Sequence, residues 1–429
     1  MSLPHLAIIG GGPAGLFAAW CAARVLTEGS VTLYERNDRC GRKLLATGSG
    51  QCNLTREDPA EQMLTHYGEH GRFLVHAMHA LDPEHTVRLF RKLGLPLAVR
   101  EDGKIFPASL KASDVRDVLV RSCLGANVRI VTGSRILTME KRDGRFFCDA
   151  SERTFAADRV LLATGGMTYP KTGSTGDGYR LASQLGHAIN APHPALTAVS
   201  VPDSAIGSCS GISLESVALV HTDRDGKRRV ANGALLITHD GLSGPLILNH
   251  SRYLTTGDVI EICWLPKDDG KPATVQEITE KLIHRCAVRG SAQLSTIIHE
   301  LGLPMKLTQF ILAEASADGS NKAAQTGKKT LASIARLLAC HRFTVSLKDK
   351  EAQAMVSAGG VCLDEVDPRT MASRMTEGLW FAGELLDIDG DTGGYNLQAA
   401  WSTAAIAGVS MAGGNPFTSI GQLSTFDAY

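Results

Sequence analysis

The feature that most constrains this chain lies at its start. Leu6-Ala7-Ile8-Ile9, an apolar run without polar alternation, reads as a strand buried on both faces, and it enters Gly10-Gly11-Gly12-Pro13-Ala14-Gly15 directly. The turn passes into Leu16-Phe17-Ala18-Ala19-Trp20-Cys21-Ala22-Ala23, a strong helix former. Gly10, Gly12 and Gly15 fit G-x-G-x-x-G, and each position has its own physical task. The first glycine allows a tight turn, the second lets a pyrophosphate approach the backbone, and the third lets the new helix pack closely on the strand. The helix N-terminus adds free N–H groups and a partial positive charge.

The spacing of the next element sharpens the reading. Val31-Thr32-Leu33-Tyr34 forms a second strand ending at Glu35, twenty residues beyond Gly15. A Rossmann unit places a ribose-binding carboxylate at this distance. Arg36, next in line, either lies over an adenine or faces water.

Bulk properties narrow the class. With 429 residues, the chain is long enough for two or three domains. Forty-four basic residues balance forty-four acidic ones, so no global field recruits nucleic acid or an anionic membrane. Ten scattered cysteines contain no C-x-x-C pair, which argues against a zinc ribbon or a redox-active dithiol. The histidines lack metal-ligand spacing, and no metal is expected. There is no signal-peptide pattern and no stretch of the ~20 apolar residues that a membrane span needs. A soluble, cytoplasmic protein with reduced thiols is expected.

After Glu35, residues 36–53 read as a glycine-rich loop in which Arg42 and Lys43 are candidates to neutralise a pyrophosphate and Asn53 to reach a flavin edge. Helical patterns run over 63–93, and Ser113 is expected to cap a helix over 114–124. A strand over 127–131, a strand from Ile136 and a small antiparallel meander follow. Arg159-Val160-Leu161-Leu162 then ends in Ala163-Thr164-Gly165-Gly166, a second buried strand with a small-residue turn. The glycines of 171–179 follow no strand and are not counted as a second dinucleotide site. Short β-branched runs between 193 and 265 suggest an antiparallel sheet or small barrel, and 274–338 reads as an amphipathic helical insertion or lid.

A third signal closes the chain. Leu379-Trp380-Phe381-Ala382-Gly383-Glu384 is an apolar strand ending in a carboxylate suited to ribityl hydroxyls. Gly393-Gly394-Tyr395-Asn396-Leu397-Gln398 then opens an alanine-rich helix. Strand-to-glycine signals at the start, middle and end can meet in one domain only if the intervening segment is inserted within it.

With its 171–179 motif Lys-Thr-Gly-Ser-Thr-Gly-Asp-Gly-Tyr, its 393–398 motif Gly-Gly-Tyr-Asn-Leu-Gln, and segments 43–55, 106–115, 163–179, 238–245 and 359–400, the chain resembles the bacterial aminoacetone-oxidase-like FAD-dependent flavoproteins over nearly its full length. That group is largely of unassigned function and includes a reductase-like protein of bile-acid dehydroxylation. The resemblance implies an α/β fold with a discontinuous Rossmann-type FAD-binding domain and inserted β-barrel and helical subdomains. The FAD-binding domain is expected over 1–192 and 351–429, the barrel-like domain over 193–272 and 328–350, and the helical insertion over 273–327. FAD contacts carried over by motif fall on Gly10, Gly12, Pro13, Ala14, Gly15, Glu35, Arg36, Lys43, Ile136, Thr164, Gly165, Gly383, Glu384, Gly394, Tyr395 and Asn396. The chain departs from the family pattern at Gln51, where Arg is common, and at Arg56, often Asn.

These readings predict an FAD-dependent oxidoreductase acting on a small-molecule substrate. With no second fingerprint for NAD(P)H, either a nicotinamide visits the flavin transiently, or the substrate reduces FAD and oxygen reoxidises it, as in an amine oxidase. Cys52, Tyr169, Lys171 and His239 are acid–base candidates, each more readily explained as structural, and no catalytic residue is assigned. An RNA-modifying flavoprotein and a non-catalytic flavin-holding protein are the alternatives. The balanced charge argues against RNA as a partner, and the oligomeric state is left open.

Overall fold

The computed structural model describes residues 3–223, 226–348 and 353–423. The chain divides into two compact units, Met1–His193 with Met355–Tyr429, and Pro194–Ala354. The expected boundary between 350 and 351 lies outside the described residues.

The first unit is built on a five-stranded parallel sheet. Its order is Leu379–Phe381, Arg159–Leu162, His5–Ile9, Ser30–Tyr34 and Arg129–Val131. The absence of polar alternation in Leu6–Ile9 has its cause here: a central parallel strand is covered on both faces, and Leu6, Ala7 and Ile8 are fully buried. The helix Pro13–Val25 and the alanine-rich helix Tyr395–Met411 pack so closely that a β-carbon on Gly408 would lie 2.4 Å from the Ala18 carbonyl oxygen. The second helix is buried nearly all round, which is why its sequence shows no polar face. The strands Ile136–Arg142, Arg145–Ala150 and Thr154–Ala157 form the expected antiparallel meander.

Two local expectations are corrected. The helix thought to start behind Ser113 begins at Ala112 and runs to Gly125, with Lys111 as its N-cap residue. Lys111 N already donates to Ser109 Oγ at 3.3 Å, so the chain turns before it reaches Ser113. The helical stretch over 63–93 is three helices, Ala60–Leu64, Val75–Ala80 and Pro83–Lys92, with a 3-10 segment Gly68–Leu74. Gly68 takes a left-handed φ of 55°, and Asp82 starts a new helix by accepting His85 N–H at 2.7 Å.

The second unit contains six antiparallel strands in the order Val199–Ser200, Gly241–Ser243, Arg228–Ile237, Ser213–Thr222, Val259–Cys263 and His341–Thr344. Reciprocal hydrogen bonds of 3.0 and 2.9 Å between Ser200 and Ser346 join the first strand to the chain just past the last, closing the sheet into a barrel. The helices Val275–Val288, Leu294–His299, Met305–Glu314 and Lys328–Ala339 share one hydrophobic core with this barrel, in which Ile260 and Trp264 cluster with Leu282, Ile311 and Leu338. Thr274 and Glu277 form a reciprocal capping box at the first of these helices.

Candidate functional site

Three neighbouring parallel strands end along one edge of the first unit's sheet. Their tips are Gly10, Ala163–Gly165 and Ala382–Glu384, the three small-residue turns of the sequence. Open parallel sheets bind ligands beyond the carboxyl ends of their strands. Two clefts lie there, and they share Gly12, Lys43, Thr164 and Ser174 as wall residues. The shared wall makes them one elongated site.

The glycine cradle shows why each glycine is where it is. Gly10 has φ of 110°, and a β-carbon there would lie 2.5 Å from the Ala163 carbonyl oxygen. Gly15 carries the helix against the strand, where a β-carbon would meet the Gly10 carbonyl oxygen at 1.8 Å. A β-carbon on Gly12 would touch nothing within 4 Å, because it would project into open cleft. That is the arrangement a phosphate needs to reach backbone amides at a helix start.

In the first cleft Glu35 is buried, 6% exposed. Its Oε2 accepts Gly11 N–H at 2.7 Å, and its Oε1 accepts from Asn37 N and Nδ2 at 2.8 and 2.6 Å. Three donors fix the carboxylate at the strand tip while leaving lone pairs for ligand hydroxyls. Ile136 lies on the same wall, as does Ser134, whose buried hydroxyl has no hydrogen-bond partner among the described residues. Arg36, Arg42, Lys43 and Arg135 outnumber Glu35 and Asp177 around this cleft, which favours an anionic ligand.

Arg36 does not simply face water: its guanidinium is anchored in the wall of the first cleft. Its Nη1 donates to Gly173 O at 3.3 Å, to Thr175 Oγ1 at 2.5 Å and to Asp177 Oδ2 at 2.9 Å. The 171–179 segment, whose glycines follow no strand, supplies Thr172, Gly173, Ser174, Thr175 and Asp177 to the wall of the cleft that begins at the first glycine turn.

The second cleft carries Pro13, Ala14, Gly165, Gly383, Glu384 and Asn396. Gly383 needs its left-handed φ of 71°, and a β-carbon there would sit 2.8 Å from Ala14 Cβ. Lys43 Nζ bridges the cleft to Glu384, 2.8 and 2.6 Å from its two carboxylate oxygens, and donates to Thr168 Oγ1 at 2.8 Å. Glu384 also accepts Ser357 N–H at 3.0 Å. Asn396 is clamped to Gly390, accepting from its N and donating to its O at 2.8 Å each.

Of the sixteen residues expected at a cofactor, Gly15, Gly394 and Tyr395 line neither cleft. Gly15 acts underneath the cradle. Gly394, with φ of 102°, backs against Thr55, and its β-carbon would meet that residue's carbonyl at 2.9 Å. Tyr395 turns away, stacking on His66 at 4.2 Å and donating to Asp58 Oδ2 at 3.0 Å. Among the acid–base candidates, Cys52 is fully buried and burial pushes its thiol up to about 12, which leaves no thiolate at neutral pH. Lys171 is exposed, and His239 is exposed in the second unit. Asn37, Arg135 and Ser174, which no motif marks in the sequence, also line these clefts.

The donor set, the open face over Gly12 and the paired clefts fit FAD. This is the architecture of a Rossmann-type FAD-binding protein, with one elongated cleft along its strand tips. Comparison with known proteins agrees: residues 4–410 match the family described as the HI0933-like protein Rossmann domain. A 3-dehydro-bile acid delta(4,6)-reductase of Clostridium scindens is 32% identical over 416 residues, spanning 94% of this chain and 98% of that protein. A ribosomal RNA dihydrouridine synthase of Haemophilus influenzae is 29% identical, spanning 94% and 97%. Among solved structures, a 3-ketosteroid-delta4-(5alpha)-dehydrogenase from Rhodococcus jostii RHA1 shares the fold at a TM-score of 0.50 and 16% identity, covering 95% of this chain and 97% of that one. The chain belongs to the HI0933-like family, a bacterial family of FAD-dependent oxidoreductases.

No helix among the described residues is long and apolar enough to cross a membrane. No group of His, Cys, Asp and Glu among them could hold a metal ion.

Proposed function

We propose that this protein reduces a carbon–carbon double bond conjugated to a carbonyl in a small organic molecule, with NAD(P)H as a transient electron donor. The relatives' names carry the reading: a delta(4,6)-reductase and a dihydrouridine synthase act on different molecules, yet both saturate a C=C bond next to a carbonyl. FAD, when bound, supplies the hydride chemistry for such a step.

The chain's part is to bind and orient. Glu35 would accept hydrogen bonds from the adenosine ribose, with Ile136 and Ser134 as the wall beside the base. The Gly10–Gly12 turn and the start of the helix Pro13–Val25 would receive the pyrophosphate, and Lys43 would offset its charge. Glu384, held by Lys43 and Ser357, would accept from the ribityl chain, and Asn396 would lie toward the isoalloxazine end. The apolar wall formed by Leu44, Val356, Ile388 and Leu397 keeps water from that end.

The test is an anaerobic series with the purified, FAD-loaded protein. NADH or NADPH should bleach the yellow colour, and a 4-en-3-one steroid should restore it. A second reading takes uridine in RNA as the acceptor, since two relatives near 29 and 28% identity bear that name. Recolouring by a ribosomal RNA fragment and not by enones would favour it. Bleaching by an amine and by neither nicotinamide would replace both with an oxidase.

A further inference from the structure

Cleft walls in a Rossmann domain come from the strand tips, but one wall here does not. Thr172, Gly173, Ser174 and Thr175 form it, and they belong to a segment between the second glycine turn and the helix Asp177–Gln184. The backbone of this segment is bent by left-handed residues at Tyr169 (φ 55°), Gly173 (φ 101°) and Gly176 (φ 78°). The two residues directly after the ribose-site carboxylate tie it down. Asn37 Nδ2 donates to Thr172 O at 3.0 Å, and Arg36 Nη1 reaches Gly173 O, Thr175 Oγ1 and Asp177. From the opposite side Arg135, one residue before Ile136, grips the same carboxylate: its Nε and Nη2 donate to Asp177 Oδ2 and Oδ1 at 2.8 and 2.7 Å.

One carboxylate therefore holds two guanidinium groups from two different strand tips. It is 16% exposed, and Arg135 first, then Arg36 and Arg180, keep its carboxyl below the usual range. The contact closes a ring around the first cleft: Glu35–Asn37 on one side, Arg135–Ile136 on another, and the 172–177 segment across them. At Gly173 a β-carbon would lie 2.5 Å from Asn37 Nδ2, so the segment sits as close to that side as a backbone can.

We propose that residues 172–177 form a strap that retains the adenosine end of the dinucleotide, latched by the Arg36–Asp177–Arg135 contact. The proposal rests on the FAD reading of the site. Arg36, Arg135 and Asp177 line this cleft, and in the latch they act as positioning residues: their mutual contact holds the 172–177 wall in place. The latch must open for FAD to leave and close behind FAD that has entered. It lies at the adenosine cleft and away from Asn396, so its effect falls on ligands with an adenosine and spares those without one.

The experiment uses Asp177→Asn and, as a milder second variant, Arg135→Gln, whose side chain is 45% exposed. FAD release is followed by the recovery of flavin fluorescence on dilution, and the affinities of ADP and of FMN are measured on the apoprotein. The expected result is FAD release about tenfold faster, ADP weakened by a similar factor and FMN unchanged. A merely structural defect would weaken FMN as much as ADP, and that result overturns the strap. So does FAD release at the wild-type rate in both variants. Wild-type protein that takes up neither FAD nor ADP would overturn the cofactor reading itself, and the strap with it.

Discussion

Gly15 lies so close under Gly10 that a β-carbon on it would stand 1.8 Å from the Gly10 carbonyl oxygen, whereas a β-carbon on Gly12 would touch nothing within 4 Å. The same motif thus contains one glycine required by packing and another whose missing side chain leaves the cleft open.

Gly15→Ala should unfold the cradle. The obstructing atom is backbone, so the helix Pro13–Val25 must move off the sheet, at a cost of ~3 kcal/mol or more. Gly12→Ala, at an ordinary φ of −75°, should leave the apoprotein's urea midpoint within error and weaken FAD by at least about tenfold. Equal losses of stability in both variants would show that Gly12 has no ligand-related task.

Glu35→Gln should leave one of its donors facing an amide N–H. Each oxygen of Glu35 accepts a backbone N–H, from Gly11 and from Asn37, and glutamine has only one acceptor oxygen. Titration of the apoprotein with ADP should show affinity lower by about 10- to 100-fold, the scale of a lost charge-assisted hydrogen bond. An unchanged ADP affinity would remove Glu35 from the site.

Acid should destabilise the second unit before carboxylates titrate. Burial, with His221 and nearby arginines, lowers His250 to about 3, and burial lowers His341 to about 4. The geometry agrees, because Trp264 Nε1–H donates to His341 Nδ1 at 3.1 Å, which requires that nitrogen to be unprotonated. Above the unfolded histidine value of about 6.5, both states are neutral and the stability is fully present. Below it the unfolded chain takes up protons that the folded unit refuses, so stability falls by about 1.4 kcal/mol per pH unit for each histidine until the folded values are reached. Urea midpoints followed by tryptophan fluorescence should drop between pH 7 and 5; a flat profile over that window would contradict the assignment.

Lys43→Met should uncouple the two clefts. It strands Glu384, which is 20% exposed, without its cation and removes the positive charge at the shared wall. Weaker FAD binding with a shallower salt dependence than wild type is expected, read by equilibrium dialysis at two ionic strengths. A salt dependence identical to wild type would mean that Lys43 does not act on the ligand's charge.

What the sequence disclosed follows the range of the forces involved. The turn at Gly10, the close packing at Gly15 and the strand end before Glu35 are legible because they are local demands written within thirty residues. The strap was not, since nothing in 171–177 says that Arg36 and Arg135 will hold it against the first cleft. Tyr395 follows a glycine pair at a helix start, yet Asp58 and His66 draw its side chain away. Ser113 looked like a cap, but the turn closed one hydrogen bond earlier at Ser109. The barrel's closure rests on Ser200 meeting Ser346, a pairing between distant residues with no local signature.

We propose that three strand tips form one elongated site for a single flavin adenine dinucleotide. Equilibrium binding to the apoprotein tests it most directly: FAD should bind one per chain, ADP should compete with it, and riboflavin should bind far more weakly. Riboflavin binding as tightly as FAD, or FAD binding that ADP cannot displace, would contradict it.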